Sequence, residues 1–216
     1  MKIVFCLPGK TFSHNFLRSW TSTIDWCSKS GIQFKYHARQ GSNIYHLRST
    51  CLNGDILAGR NQVPFQGKVD YDYIMWIDSD QVFEPEQIQK LINHNTDIVS
   101  GLYLMEDCRN FACVENFDSA FFLKNGYFKF LTPPDIKNKT DLIPVSFNGM
   151  GFMLIKKGVF ETVGYPWFEP VALNVNDDIR DFCSEDASFC IRATKQGFTV
   201  FVDPTVVVGH EKTYVI

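Results

Sequence analysis

Residues 71–80 read Tyr71-Asp72-Tyr73-Ile74-Met75-Trp76-Ile77-Asp78-Ser79-Asp80. An apolar run, Ile74 to Ile77, ends in two carboxylates one residue apart. A continuous apolar run of this length between polar residues suits a strand buried on both faces of a mostly parallel sheet. Asp78 then lies near the carboxyl end of the strand, and Ser79 and Asp80 open the loop. In open α/β sheets ligands bind beyond that edge. Two carboxylates there can hold a hard divalent cation, and the cation can hold phosphate. The plainer alternative is an Asp-rich turn capping a helix begun by Pro85.

Outward from this run, strands and helices alternate. Lys2 to Leu7 predicts a first strand. Phe16, Trp20, Ile24 and Cys27 predict an apolar stripe on a helix over 13–30, capped by Ser13 and stopped by Gly31. Residues 32–38 predict a second strand, giving the β-α-β opening of a parallel sheet. A helix carrying Arg48 is expected within 41–67, another over 85–93 and a strand over 97–103. The segment 105–144 is less readable, except that Asn125-Gly126 between aromatic-rich runs over 121–130 predicts a β-hairpin. Met153-Leu154-Ile155 follows the Gly149-Met150-Gly151 loop, and residues 159–164 predict a helical turn. A helix is expected over 186–195, a strand over 198–202, a turn at Asp203-Pro204 and a last strand ending at Gly209-His210.

With 216 residues, one domain spanning 1–216 is expected, and 45% hydrophobic with 21% charged residues is ordinary globular composition. Net charge is −3 with no basic block, so a nucleic-acid partner is not expected. No apolar run reaches membrane-spanning length, and Met1 to Gly9 is too short before Pro8-Gly9 for a signal segment. Seven cysteines without a Cys-x-x-Cys pair argue against a disulfide framework or zinc ribbon and for a reducing, cytoplasmic setting. Cys183 and Cys190 share one face if helical and are expected as buried thiols.

Four features follow in order: Asp78-Ser79-Asp80, Gly149-Met150-Gly151, Ser184-Glu185-Asp186 opening a helix, and His210. With Gly197-Phe198, Asp203-Pro204 and Gly209-His210 downstream, this order resembles the GT-A fold nucleotide-sugar glycosyltransferases, especially the family-2-like enzymes. The likeness runs from Ile3 to His210 and is weakest over 105–144. It implies a Rossmann-like α/β fold with a small β-hairpin subregion, residues 1–103 forming a nucleotide-binding half and 104–216 an acceptor half. It also implies hexosyl transfer from a UDP- or GDP-linked sugar to an acceptor hydroxyl, with inversion by a carboxylate base.

By the same resemblance, Asp80 and His210 ligate one Mn²⁺ or Mg²⁺, while Asp78 contacts the ribose or a metal-bound water. A mixed carboxylate–imidazole set leans toward Mn²⁺. A satisfied strand-end histidine is the alternative for His210. Asp186 is implied as the base and Glu185 as an acceptor contact, with exchange of the two left open; acids at a helix start are favoured by the macrodipole in any case. Pro8, Gly9 and Ser79 fall where such enzymes cradle the nucleotide, and Arg48 resembles an arginine facing it. Gly149 and Gly151 either allow backbone to approach the donor sugar or the acceptor closely or simply make a turn. Trp167 and Phe168 are candidates for stacking on a sugar face, although most aromatics here are expected in the core. The usual acidic residue after strand two is missing, with His37, Ala38 and Arg39 there instead, which leaves the nucleobase open.

Two other readings use the same sheet. A sugar-nucleotide nucleotidyltransferase usually carries a Gly-rich basic loop after strand one, and Pro8-Gly9-Lys10-Thr11-Phe12 lacks it. A silent carbohydrate-binding module is the other, since a fold does not prove activity. The absence of Gly-x-Gly-x-x-Gly after strand one argues against a dinucleotide oxidoreductase.

Overall fold

The computed structural model describes residues 1–212. Its elements follow in chain order as β1 Lys2–Pro8, α1 His14–Lys29, β2 Gln33–Arg39, α2 Ile44–Cys51, β3 Tyr73–Ile77, β4 Gln81–Val82, α3 Pro85–Asn93 and β5 Ile98–Leu102. The second part adds β6 Cys113–Val114, α4 Ser119–Asn125, α5 Pro133–Ile136, β7 Ile143–Val145, β8 Phe147–Asn148, β9 Phe152–Lys156 and α6 Val159–Val163. It closes with β10 Ala172–Asn174, β11 Arg180–Phe182, α7 Glu185–Lys195, β12 Val200–Val207 and β13 Gly209–His210.

Seven strands form one sheet in the order β2-β1-β3-β9-β5-β12-β7. The β1–β2, β1–β3 and β5–β12 pairs are parallel, whereas β9 runs antiparallel to both β3 and β5, and β7 antiparallel to β12. Five of the seven strands therefore point the same way, as a mostly parallel sheet requires.

Strand alternation divides the core between the two faces of the sheet. Val4 and Cys6 of β1 and Ile74 and Trp76 of β3 enter one cluster, which includes Cys51 of α2, Phe160 of α6 and Phe189 of α7. Ile3, Phe5 and Leu7 with Tyr73, Met75 and Ile77 enter the other, packed on Phe16 of α1 and on Ile88 and Leu91 of α3. Every residue of β3 is buried. The expected α3 appears with its boundaries and β5 one residue shorter at each end, and α1 has Ser13 as its cap, accepting from the Phe16 amide at 3.1 Å. Its inner face is rotated from the expected stripe. Ser19 and Thr23 lie inside, while Ile24 is 37% exposed.

The structure corrects the reading elsewhere. The hairpin expected over 121–130 is helix α4. Asp118 caps it at the Phe121 amide (2.8 Å), and Gly126 ends it with φ +77°. Asn-Gly suits either positive-φ role, a type I′ turn or a helix stop. The small antiparallel hairpin is instead β10–β11. The expected break at Asp203-Pro204 lies within β12, whose register against β5 shifts between Val202 and Val207. Such an irregularity accommodates a residue with no amide hydrogen. Cys183 lies just outside α7, so Cys183 and Cys190 do not share a helix face, though both are buried. All seven cysteines are unpaired, with Cys108 exposed and the other six buried. Among the described residues no helix is long and apolar enough to cross a membrane.

Candidate active site

The acidic triplet is held at the carboxyl edge of β3 by backbone from distant parts of the chain. The Asp78 amide donates to the Gly151 carbonyl (2.9 Å), and the Glu211 amide donates to the Asp80 carbonyl (2.8 Å). β13 pairs with β4, placing His210 opposite Gln81 and beside Asp80. At the end of β1, Gly9 lies so close to Ser79 that any Cβ would overlap the serine side chain. Pro8 is buried, and Gly9 packs directly on the acidic loop. Gly9, expected at the nucleotide cradle, thus stands against the acidic loop.

Arg48 is the centre of this arrangement. Its side chain is 3% exposed. Nη1 and Nη2 donate to the two Asp78 carboxylate oxygens at 2.9 and 3.1 Å, and Nε donates to Glu185 Oε1 at 3.0 Å. The guanidinium also lies over the Trp76 ring, 5.5 Å from its centroid. A planar fork with fixed donors suits this double contact better than an ammonium would. Burial works against the Arg48 charge, but Asp78 and Glu185 more than offset it and raise its pKa. Burial pushes the Glu185 carboxyl above its ordinary value despite the opposing pull of Arg48. The expected nucleotide-facing arginine is thus turned inward, tying α2 to β3 and α7. The same contact turns Glu185 away from solvent, against its expected place on the acceptor.

Asp186 differs from its neighbour. It is part-exposed in the first turn of α7, and its Oδ1 accepts from the Ala187 amide at 2.7 Å and from the Ser184 hydroxyl. Tyr45 of α2 donates from its hydroxyl to the Cys183 carbonyl at 2.8 Å, fixing the chain just before this turn. No sequence signal singles out Tyr45, although it shares a helix with Arg48.

At the other acid, Asp80 Oδ2 lies 3.1 Å from His210 Nε2 and 2.8 Å from Lys212 Nζ. His210 Nδ1 is 2.6 Å from the Leu104 carbonyl, which can only accept, so Nδ1 carries the hydrogen. Nε2 then aims at Asp80. The Lys212 ammonium already stands beside the Asp80 oxygen, and a proton on Nε2 or a metal between the two atoms reconciles the remaining contact of imidazole nitrogen with carboxylate. Burial would raise the Asp80 carboxyl, but His210 and Lys212 hold it down at about 2. Burial would lower the His210 value, while the bonds to Asp80 and Leu104 raise it.

One carboxylate and one imidazole nitrogen with a fixed tautomer fit a divalent ion that accepts both oxygen and nitrogen ligands, such as Mn²⁺. Among the described residues no cluster of three His, Cys, Asp or Glu is arranged to hold a metal. Asp78 is engaged by Arg48, so a cation here would complete its shell from the ligand and water, as Mg²⁺ and Mn²⁺ do at phosphate sites.

Gly149 and Gly151 serve a different neighbour from the one expected. A Cβ on Gly149 would overlap the Tyr103 hydroxyl, and one on Gly151 would lie 2.9 Å from Tyr103 Cζ. The Gly151 amide donates to that hydroxyl at 3.2 Å, and the Tyr103 ring meets His210 edge-on at 5.0 Å between centroids. The glycines thus let a buried tyrosine support the histidine. Tyr103 itself, at the end of an apolar strand, carried no sequence signal of this role.

Trp167 and Phe168 are 0% and 2% exposed, and Trp167 Nε1 donates to the Phe160 carbonyl at 3.1 Å. They belong to the core and present no face to a sugar. His37 is likewise packed inward, on Phe65 and the Cys51 carbonyl.

A scan against family models finds no match, and no curated protein matches the chain. Solved structures do. The catalytic domain of Drosophila beta1,4-galactosyltransferase 7, in complex with xylobiose, matches with TM-score 0.53 and 13% identity, covering 98% of this chain and 71% of that one. A variant of the same Drosophila enzyme with manganese, UDP-Gal and xylobiose gives TM-score 0.52 at 13% identity, covering 98% and 71%. GalNAc-T7 with UDP, GalNAc and Mn²⁺ gives TM-score 0.57 at 13% identity, covering 99% of this chain but 43% of that one. At this identity the likeness shows the fold: the chain has the GT-A architecture.

Proposed function

We propose that the protein is a metal-dependent glycosyltransferase moving a hexosyl group from a nucleotide sugar to an acceptor hydroxyl. The observation that carries this reading is the joining of two acids and a histidine at one sheet edge. Asp80 and His210 are paired there, and Arg48 links Asp78 to the first turn of α7, where Asp186 is part-exposed. The solved structures with the same fold support it, since their descriptions include UDP, UDP-Gal, Mn²⁺ and a sugar acceptor.

Asp80 and His210 would hold the cation. When bound, it supplies positive charge to the departing nucleoside diphosphate. The Asp78 carboxylate, oriented by Arg48, faces the ribose or a water beside it. Asp186 takes the proton from the acceptor oxygen as that oxygen bonds to the anomeric carbon. The bond from that carbon to the diphosphate breaks, and its electron pair leaves with the diphosphate, so the anomeric centre inverts. Glu185, turned onto Arg48, positions the clamp rather than the acceptor. Residues 1–103 would supply the nucleotide half and 104–216 the acceptor half of one domain. The unpaired cysteines support a reducing, cytoplasmic setting.

The test is a thermal-shift screen of UDP, GDP, CDP and dTDP with and without Mn²⁺, followed by turnover of the sugar nucleotide that binds. Asp80→Ala is expected to abolish the metal-dependent shift with the fold intact. Asp186→Asn is expected to keep donor binding while transfer falls about 10²–10⁴-fold. Full transfer by either variant, or in excess chelator for the metal, would refute the corresponding role. NMR of the product anomer checks inversion.

A further inference from the structure

Glu211 follows His210 directly and takes no part in the proposed chemistry, yet it is held at both its backbone and its side chain. Its amide donates to the Asp80 carbonyl at 2.8 Å. Its carboxylate accepts from the Ser13 hydroxyl at Oε2 and from Asn15 Nδ2 at Oε1, the latter at 3.2 Å. Ser13 stands 198 positions earlier in the chain.

The same serine is the cap of α1. Its oxygen accepts from the Phe16 amide at 3.1 Å, while its hydrogen goes to Glu211. The first turn of α1 has no acidic residue of its own. A carboxylate is favoured at that end by the helix dipole, and Glu211 supplies it from the other end of the sequence. Gly9, four residues before Ser13, packs on Ser79. The start of α1, the acidic loop and residues 209–212 therefore meet at one place.

Successive side chains of an extended chain point to opposite sides, and residues 210–212 follow that rule. His210 and Lys212 both reach Asp80 Oδ2, at 3.1 and 2.8 Å, while Glu211 between them turns onto α1. β13 is only two residues long and ends at His210, so sheet pairing does not fix the chain beyond it. The contacts to Ser13 and Asn15 do.

We propose that Glu211 is a positioning residue of the metal centre: anchored on the N-terminus of α1, it fixes the rotation of the chain that aims His210 Nε2 at Asp80. The inference rests on the metal-dependent reading above. Without the anchor, the Leu104 carbonyl and the Tyr103 ring still hold the imidazole. The metal is then weakened rather than lost. Removing a partner that orients a metal ligand costs about 10–100-fold in affinity, and with two supports left the low end, about tenfold, is expected.

The test is titration of the full chain with Mn²⁺ alone, followed by the relaxation rate of solvent water protons, which needs neither nucleotide nor turnover. All proteins carry K212A, so that release of the competing ammonium does not mask a loss. Relative to that parent, Glu211→Ala is expected to weaken Mn²⁺ about tenfold. Ser13→Asp separates the anchor from the cap. Aspartate caps a helix as well as serine does, but it has no hydrogen to give Glu211 and repels it. This variant is expected to weaken Mn²⁺ by a similar factor, with α1 intact by circular dichroism. Glu161→Gln is the structural control. Near the opposite end of β3, Glu161 accepts from the Tyr71 hydroxyl at 2.8 Å and the Gly158 amide at 2.9 Å. Its loss is expected to lower Tm and leave Mn²⁺ affinity unchanged.

A change under about threefold in either Glu211→Ala or Ser13→Asp, well short of the range for such partners, overturns the proposal. So does a loss in Glu161→Gln as large as theirs. Asp80→Ala run alongside separates the two readings. If the parent binds Mn²⁺, Asp80→Ala does not, and the Glu211 and Ser13 variants bind like the parent, only the anchor falls. If Asp80→Ala leaves Mn²⁺ binding as it is in the parent, the metal site falls and the anchor with it.

Discussion

Replacing Arg48 by Met keeps most of the side-chain length and removes the charge that Asp78 and Glu185 share. Glu185 loses its 3.0 Å bond while its side chain remains only 10% exposed, so its desolvation is left without compensation. Asp78 loses two bonds but is 27% exposed, and water can take part of their place. Breaking a buried ion pair from one side costs about 3–5 kcal/mol. Discounting the Asp78 end for solvent screening leaves a loss of about 3 kcal/mol. For a chain of this size that lowers Tm by about 6–12 °C. Urea and thermal melts of R48M followed by circular dichroism measure it. The double variant R48M/E185Q should recover about 1–2 kcal/mol relative to R48M, because the amide removes the stranded charge. A loss for R48M below about 1 kcal/mol, or a cycle with no coupling, would refute the view that Arg48 is a buried clamp rather than a surface contact to nucleotide.

Gly149→Ala should destabilise by about 1–3 kcal/mol through overlap with the Tyr103 hydroxyl, and Y103F in that background should restore much of it. If Y103F adds its own cost instead, the crowding lies elsewhere. Lys212→Ala should lower the Mn²⁺ concentration for half-saturation by about two- to fivefold, because the ammonium competes for Asp80 and such part-exposed pairs are worth under about 1 kcal/mol. Unchanged metal affinity with weakened UDP binding would instead place Lys212 on the diphosphate. Burial would raise the Asp203 carboxyl, yet bonds from His94 and Thr205 depress it below 3.8. Its stabilisation is therefore present above about pH 4 and lost as pH falls through the depressed value. The Tm gap between wild type and D203N should be full at pH 5 and close toward pH 2, and a gap that widens on acidification would reverse the sign.

The strands and helices around residue 74 were legible because burial on both faces leaves an unbroken apolar run, and because Ser13, Pro85 and Gly31 are local punctuation. The hairpin expectation at Asn125-Gly126 failed for a local reason too. A positive φ was correctly demanded there, but Asp118 seven residues earlier set the helix that needed it. The acids and His210 were legible as residue types in order. Their partners were not, since Arg48 looks like any helix arginine until α7 supplies a second carboxylate 137 positions away. The same holds for Tyr103, Tyr45 and Lys212, whose roles exist only across long separations. Trp167 shows the opposite error, an aromatic in a loop that packing claims for the interior.

The antiparallel strand β9 has a consequence for how the molecule is made. β3 and β5 do not touch; β9 fills the slot between them, pairing Phe152 with Ile77. A growing chain that has emerged as far as Leu102 already contains both strands yet cannot zip them together. The Asp78 amide waits for the Gly151 carbonyl, and Arg48 waits for Glu185. Contacts of such long sequence separation are slow to close and leave sheet edges exposed meanwhile. The acidic edge is therefore among the last parts to set during synthesis. A ribosome-stalled fragment ending at residue 103 would remain open to proteases, and protection at Asp78 would arrive only once β9 had cleared the exit tunnel.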